Sequence, residues 1–226
     1  QIVFDQLAAA GLAVHTGKHA GIGGRFDDPI AAGHSLQIAG VADVAVEELH
    51  ALLAQGTARV GAHHKAARVP VIKGQGISAY DPRVIEVTGI SMMLTAQGAD
   101  HTAGNTVRAK VDHLDAKANI ATSRAAQINM AGFDTLGACI FAGFGFNVNP
   151  AVIPDILNAR YGWKVGADIL QVLGKETITL EREFNRRAGF TAADDRIPEY
   201  MRTEPLPPHN AVYDASDADL DSVFNW

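Results

Sequence analysis

The feature that most constrains this chain is a succession of apolar residues at helical spacing between residues 43 and 189, repeatedly closed by glycine. Over 43–62, Val46, Leu49, Leu52, Leu53 and Val60 share a face. Glu47 and Glu48 come early and Arg59 late, where the helix dipole favours them. Asp81 and Pro82 offer an N-cap and a first helical residue, followed by apolar Ile85, Met92, Met93 and Ala96 and a stop at Gly98. Over 114–130, Leu114, Ala118, Ala121, Ala125 and Ile128 form a small-residue stripe that predicts close helix packing. Asn149-Pro150 breaks the chain. Val152, Ile153, Ile156 and Leu157 then mark a helix ending near Gly162, and a long helix over 166–187 turns Ile169, Leu173, Leu180 and Phe184 inward before Gly189. Residues 2–14 read as a further short helix, and only RVPVIKG at 68–74 reads as extended. Helices outnumber strands, so the pattern predicts a mostly α domain with short extended segments.

Length and charge narrow the function. A chain of 226 residues is long enough to bury a substantial core. Its formal net charge of -6 argues against a nucleic-acid surface, which carries a basic stripe. The single cysteine excludes a disulfide framework and any self-contained thiolate metal site, and points to a reducing, cytoplasmic setting. The longest apolar stretch, 136–148, falls short of the roughly 20 residues a membrane helix needs, so no span is predicted. The start has no basic n-region and does not read as a signal peptide; without an initiator methionine it reads as a processed chain or a piece of a longer one. Residues 1–68 are expected to form an N-terminal helical segment, 69–207 the main helical domain, and 208–226 an acidic extended tail over the surface.

Most of the nine histidines offer no metal site. The Gly-rich stretch GKHAGIGGRFDDP lacks a phosphate-binding pattern and reads as loop. His63 and His64 are adjacent and point apart on a helix, which makes them surface residues. Asp112, His113 and Asp115 sit at a helix start, where acids serve as caps. No GxSxG, HExxH or CxxC is present. Two stretches carry chemistry instead. In QGADHTAGN, Asp100 and His101 lie just past a helix stop, and a loop histidine on a rigid scaffold can donate or accept a proton near neutrality. In GFDTLGACIF, Asp134 can accept two parallel N–H bonds from an aminopyrimidine edge, and Gly137 lets a flat ligand approach the backbone. Cys139 is open to two readings, an inert core thiol or an iron-binding thiolate.

Four blocks, KGQGISAYDPR, GADHTAGN, DTLGAC and LEREFNRRAGFTAADDRIPEYMRTEPLP, resemble, in order, the C-terminal part of tungsten-containing aldehyde ferredoxin oxidoreductases. The resemblance implies a tungsten or molybdenum bis-pyranopterin with a nearby [4Fe-4S] cluster. By the match, Asp134 binds the pterin ring, the backbone at Gly137 and Ala138 packs against it, and Cys139 gives one cluster thiolate. His101 matches the family's active-site histidine, which orients substrate or moves a proton. The implied reaction oxidises an aldehyde to a carboxylate and passes electrons to ferredoxin. Ala138 stands where the family has leucine. The CxxCxxxC, the second pterin loop, the active-site glutamate and the β-rich N-terminal domain find no match. One thiolate cannot hold a cubane cluster, so this chain alone is expected to be inactive until other domains or a partner subunit supply the missing ligands. Two alternatives differ in class: a helical remnant or interaction module without cofactor, and a small-molecule-binding domain without redox chemistry.

Overall fold

The computed structural model describes residues 35–36, 44–146 and 148–226, and the readings made on residues 2–14 and on the Gly-rich stretch lie outside them. Two short antiparallel pairs, β1 (Ser35–Leu36) with β2 (Val44–Ala45) and β3 (Val71–Ile72) with β4 (Gln75–Gly76), are the strands among the described residues. Helices form the rest of the frame: α1 (Val46–Leu53), α2 (Thr57–His63), α3 (Glu86–Leu94), α4 (Ile120–Thr135), α5 (Ile140–Phe146), α6 (Val152–Tyr161), α7 (Ile169–Arg187), α8 (Tyr200–Thr203) and α9 (Asp217–Asp221). The mostly α expectation holds. The helix expected over 43–62 is two helices, because Gly56 takes φ 87° and its N–H closes on Leu53 O at 3.1 Å.

Helix α3 is the centre, with all nine residues buried. It starts later than expected. Asp81 does not cap it; its carboxylate takes Arg83 N, Nε and Nη2 at 2.9, 3.0 and 2.7 Å, so the DPR tripeptide forms a turn ahead of the helix. Around α3, Ile90, Met92 and Met93 pack with Ile72, Ala116, Met201, Tyr213, Leu220 and Val223 in the main core. The 208–226 stretch is therefore no surface tail. Its apolar residues repeat at a spacing that lets Tyr213, Ala215, Leu220 and Val223 turn inward, while Ser216 and Asp219 form a capping box at the start of α9. The polar residues on α3 are paired: Thr88 Oγ1 with Thr106 Oγ1 at 2.9 Å, and Ser91 Oγ with Gly104 O at 2.8 Å.

Helices α4 and α7 pack more closely than side chains would allow. A Cβ on Gly132 would strike Leu170 O, and one on Gly174 would strike Ile128 O. Close packing was expected, but on the wrong residues: Ala118, Ala121 and Ala125 are exposed, and α4 buries Ser123, Gln127, Ile128 and Met130. On α7 the inward face holds Gly174 and Ile178, leaving Leu180 and Phe184 70% and 73% exposed. A second, smaller core of Met130, Phe133, Ile153 and Leu157 sits at the far end of α4. Among the described residues no single helix is long and apolar enough to cross a membrane.

Candidate functional site

The loop carrying Asp100 and His101 is fixed from several sides. Gly98 and Ala99 both take positive φ, 81° and 55°, and Ala99 N donates to Met92 O at 2.8 Å, folding the chain back over the end of α3. Gly98 lies against the β3–β4 turn, where a Cβ would come within 2.6 Å of Ile72 O, so glycine is required there by space as well as by φ. Asn185 Nδ2 on α7 donates to Ala96 O at 2.7 Å. Beneath the turn, the Lys73 side chain is 3% exposed, ion-paired with Asp195, and donates to Met93 O at 2.5 Å. Burial pushes the Lys73 ammonium below its ordinary range, and the Asp195 carboxylate only partly offsets it. The blocks KGQGISAYDPR, GADHTAGN and LEREFNRRAGF thus meet in space.

His101 precedes a single 3-10 turn, Thr102–Gly104, and is half-buried. Its Nδ1 lies 4.0 Å from Asp100 Oδ1, and its ring lies over Tyr80 with centroids 4.8 Å apart. The helix start expected at Leu114 comes at Ile120, without a side-chain cap, so Asp112 and Asp115 are not its caps; they close the turns ahead of α4, accepting from Leu114 N and Ala118 N, both at 2.9 Å. His63 and His64 are exposed, as expected.

Asp134 sits in the last turn of α4, which runs beyond Met130, where the sequence placed its end. The helix then stops by a Schellman arrangement. Gly137 takes φ 67°, its N–H bonds Asp134 O at 2.9 Å, and Ala138 N reaches Phe133 O at 2.9 Å. Gly137 therefore has a role in the fold itself, yet its outer side is open, since an added Cβ would meet nothing within 4 Å. Ala138 packs with the smaller core, and Cys139 follows at the surface as an exposed free thiol. The chain turns through 101° between α4 and α5 at this point.

Asp100 and Asp134 line one cleft of about 190 Å³ with Gln127 and Glu181. Burial, then the Asp100 charge, pushes the Asp134 carboxyl above its ordinary range; burial, then Asp134, does the same to Glu181. Asp134 is exposed, and among the described residues its carboxylate has no hydrogen-bond donor. The cleft thus gathers three carboxyl side chains, Asp100, Asp134 and Glu181, beside the Gln127 amide. His101 is not in the cleft wall; its neighbour Asp100 is. Among the described residues no three side chains of metal-binding type converge, so Cys139 has no co-ligands there.

Residues 39–224 match the family model described as aldehyde ferredoxin oxidoreductase, domains 2 and 3. The chain belongs to the aldehyde ferredoxin oxidoreductase family. Similar relatives are the tungsten-containing aldehyde ferredoxin oxidoreductases of Pyrococcus horikoshii, 28% identical over 60% of this chain, and Pyrococcus furiosus, 27% identical over 69%. The corresponding protein of Thermococcus kodakarensis is 26% identical over 60% of this chain. The matches cover 24%, 27% and 24% of those relatives, so the chain spans about a quarter of their length. Both candidate segments, 98–105 and 134–139, lie inside the region that matches this oxidoreductase family.

Sequence reading missed Tyr80, Gln127 and Glu181. Tyr80 and Glu181 lie inside the quoted blocks, but only the fold brings Tyr80 to His101 and Glu181 to Asp134. Gln127 had a weaker signal, a polar residue one turn from Ser123 on the buried side of α4; its Nε2 donates to Ser123 Oγ at 3.3 Å.

Proposed function

We propose that this chain forms the pterin-facing and cluster-facing part of a tungsten- or molybdenum-dependent aldehyde oxidoreductase that converts an aldehyde and water to a carboxylate, with ferredoxin as electron acceptor. The reaction releases two electrons and three protons for each aldehyde oxidised to carboxylate. The observation that carries the reading is the donor-free carboxylate of Asp134, opening on the same cleft as Asp100 and five residues before an exposed thiol. The relatives' names, tungsten-containing aldehyde ferredoxin oxidoreductase, support it.

Asp134 accepts the paired N–H groups of the aminopyrimidine edge, bonds that favour its ionised form. The open face of Gly137 leaves room for the flat ring beside the backbone. Cys139, the one cysteine of this sequence, gives one thiolate to a cluster that needs four ligands, the others coming from further domains or from a partner subunit. His101 takes up or returns a proton at the substrate oxygen. Bound here, the metal pterin supplies a Lewis acid and a two-electron acceptor.

Elemental analysis for tungsten, molybdenum and iron, on protein purified without oxygen from its source together with every copurifying chain, tests this reading. Tungsten or molybdenum with about four irons per complex supports it. A metal-free complex that leaves all its chains accounted for sinks it in favour of a cofactor-free helical module.

A further inference from the structure

We infer that Asp100 and Tyr80 fix the tautomer and plane of His101, so that Nδ1 carries its proton toward Asp100 and Nε2 keeps the free lone pair. Tyr80 and Asp100 are then positioning residues for the histidine. The inference rests on the reading of His101 as the proton-handling group, and it goes further by assigning which nitrogen does the handling and what holds it.

The Asp100 carboxylate is itself held. Thr102 Oγ1 lies 2.8 Å from both of its oxygens, and Thr102 N donates to Oδ1 at 2.8 Å. Its position is therefore set by the 3-10 turn that follows His101, not by the histidine. Across from it, Nδ1 of His101 is 4.0 Å from Oδ1, a charge contact rather than a hydrogen bond. At that range a carboxylate still favours an N–H pointed at it over a lone pair, so it biases the neutral ring toward Nδ1–H. The Tyr80 ring covers one face of the imidazole, tilted 31° from it, and restricts rotation about the ring's own axis. Neither contact would fix anything on a loose loop. Here the loop is pinned by Met92 O, by Asn185 and by the close approach of Gly98 to the β3–β4 turn. Ala99, a non-glycine residue at φ 55°, is backbone strain that only an over-determined setting retains, and such strain gathers at functional sites.

The test is the imidazole nitrogen spectrum of the 15N-labelled chain, recorded by long-range 1H–15N correlation well above the imidazole titration. His101 is assigned by its loss in His101→Asn. The wild type should show the Nδ1–H pattern, and Asp100→Asn should move it toward the Nε2–H form that free histidine prefers. Tyr80→Leu should shift the His101 ring protons downfield as the aromatic face is lost, and Tyr80→Phe should restore the wild-type position. Thr102→Ala, which frees the carboxylate, should move the tautomer part of the way. An Nε2–H pattern in the wild type, which needs no variant to fold, overturns the inference. So does a Tyr80→Leu spectrum indistinguishable from wild type. Turnover by His101→Asn in the complete oxidoreductase separates the two readings: wild-type kcat there removes the proton role, whatever the tautomer proves to be.

Discussion

The two segments that carry the site are built in opposite ways. The Asp100–His101 loop is braced by the main core: α3, α7, the β3–β4 turn and the Lys73–Asp195 pair all hold it. The Asp134–Cys139 segment ends a helix, satisfies its own carbonyls through the Schellman turn, and then faces outward. Beyond it Phe141 is 75% exposed and Phe144 also exposed. The first segment is finished by this chain alone. Among the described residues, the second presents a carboxylate without a donor, a thiol without co-ligands and the exposed ring of Phe141.

That contrast can be broken by mutation, and the largest effect should come from the buried ion pair. Lys73→Met leaves Asp195 with Arg182 alone, at 3.3 Å, and should cost about 3–5 kcal/mol in chemical denaturation, the usual result of removing one partner of a buried pair. Met92→Ala in the core should cost about 2–5 kcal/mol. If either change is neutral, the loop is not braced as described.

A pH titration of stability probes the same core. Burial pushes the Glu86 carboxyl up to about 8, with the bond from Ala116 N opposing and Asp214 adding to the rise. A carboxyl raised in the folded state contributes stability that is complete below its unfolded value of 4.5 and is lost as pH rises through about 8. The denaturation midpoint should therefore fall between pH 5 and 9 by the equivalent of a few kcal/mol, and Glu86→Gln should flatten the curve.

The two glycines sharpen the comparison. Gly98→Ala meets both an unfavourable φ and a carbonyl 2.6 Å from the new carbon, and should lose about 2–3 kcal/mol. Gly137→Ala meets only the unfavourable φ, in open space, and should lose about 1 kcal/mol. Equal losses would mean that the two turns are equally supported. Smallest of all, Phe141→Ser and Asp134→Asn in this chain alone should each change stability by no more than about 0.5 kcal/mol, as exposed groups do.

Much of this was legible in the sequence, and the reasons divide along physical lines. Gly162 and Gly189 were read as helix stops and take φ 68° and 98°, because a left-handed residue at a helix end is a local requirement that glycine announces. The paired faces of α4 and α7 were not legible. Periodicity finds where large apolar residues repeat, whereas here backbone meets backbone at Gly132 and Gly174, and that contact decides the buried face against Leu180 and Phe184. Asp81 looked like a cap because acids precede helices; a neighbouring arginine that it could chelate took the carboxylate instead. The 208–226 stretch read as a tail from its acidic residues, while four well-spaced apolar ones fixed it in the core. At the site, Asp100, His101, Asp134 and Cys139 were visible as residue types in suggestive loops, but their relation was not: only the fold places Asp100 and Asp134 on one cleft.

The most direct test of the account is the cofactor content of the complete oxidoreductase carrying Asp134→Asn, measured against wild type as tungsten or molybdenum by elemental analysis and as pterin by fluorescence after oxidative release. Asp134→Asn should fold normally and lose most of both. Full retention of metal and pterin would contradict the assignment of this carboxylate, and with it the claim that the outward-facing segment is a cofactor site.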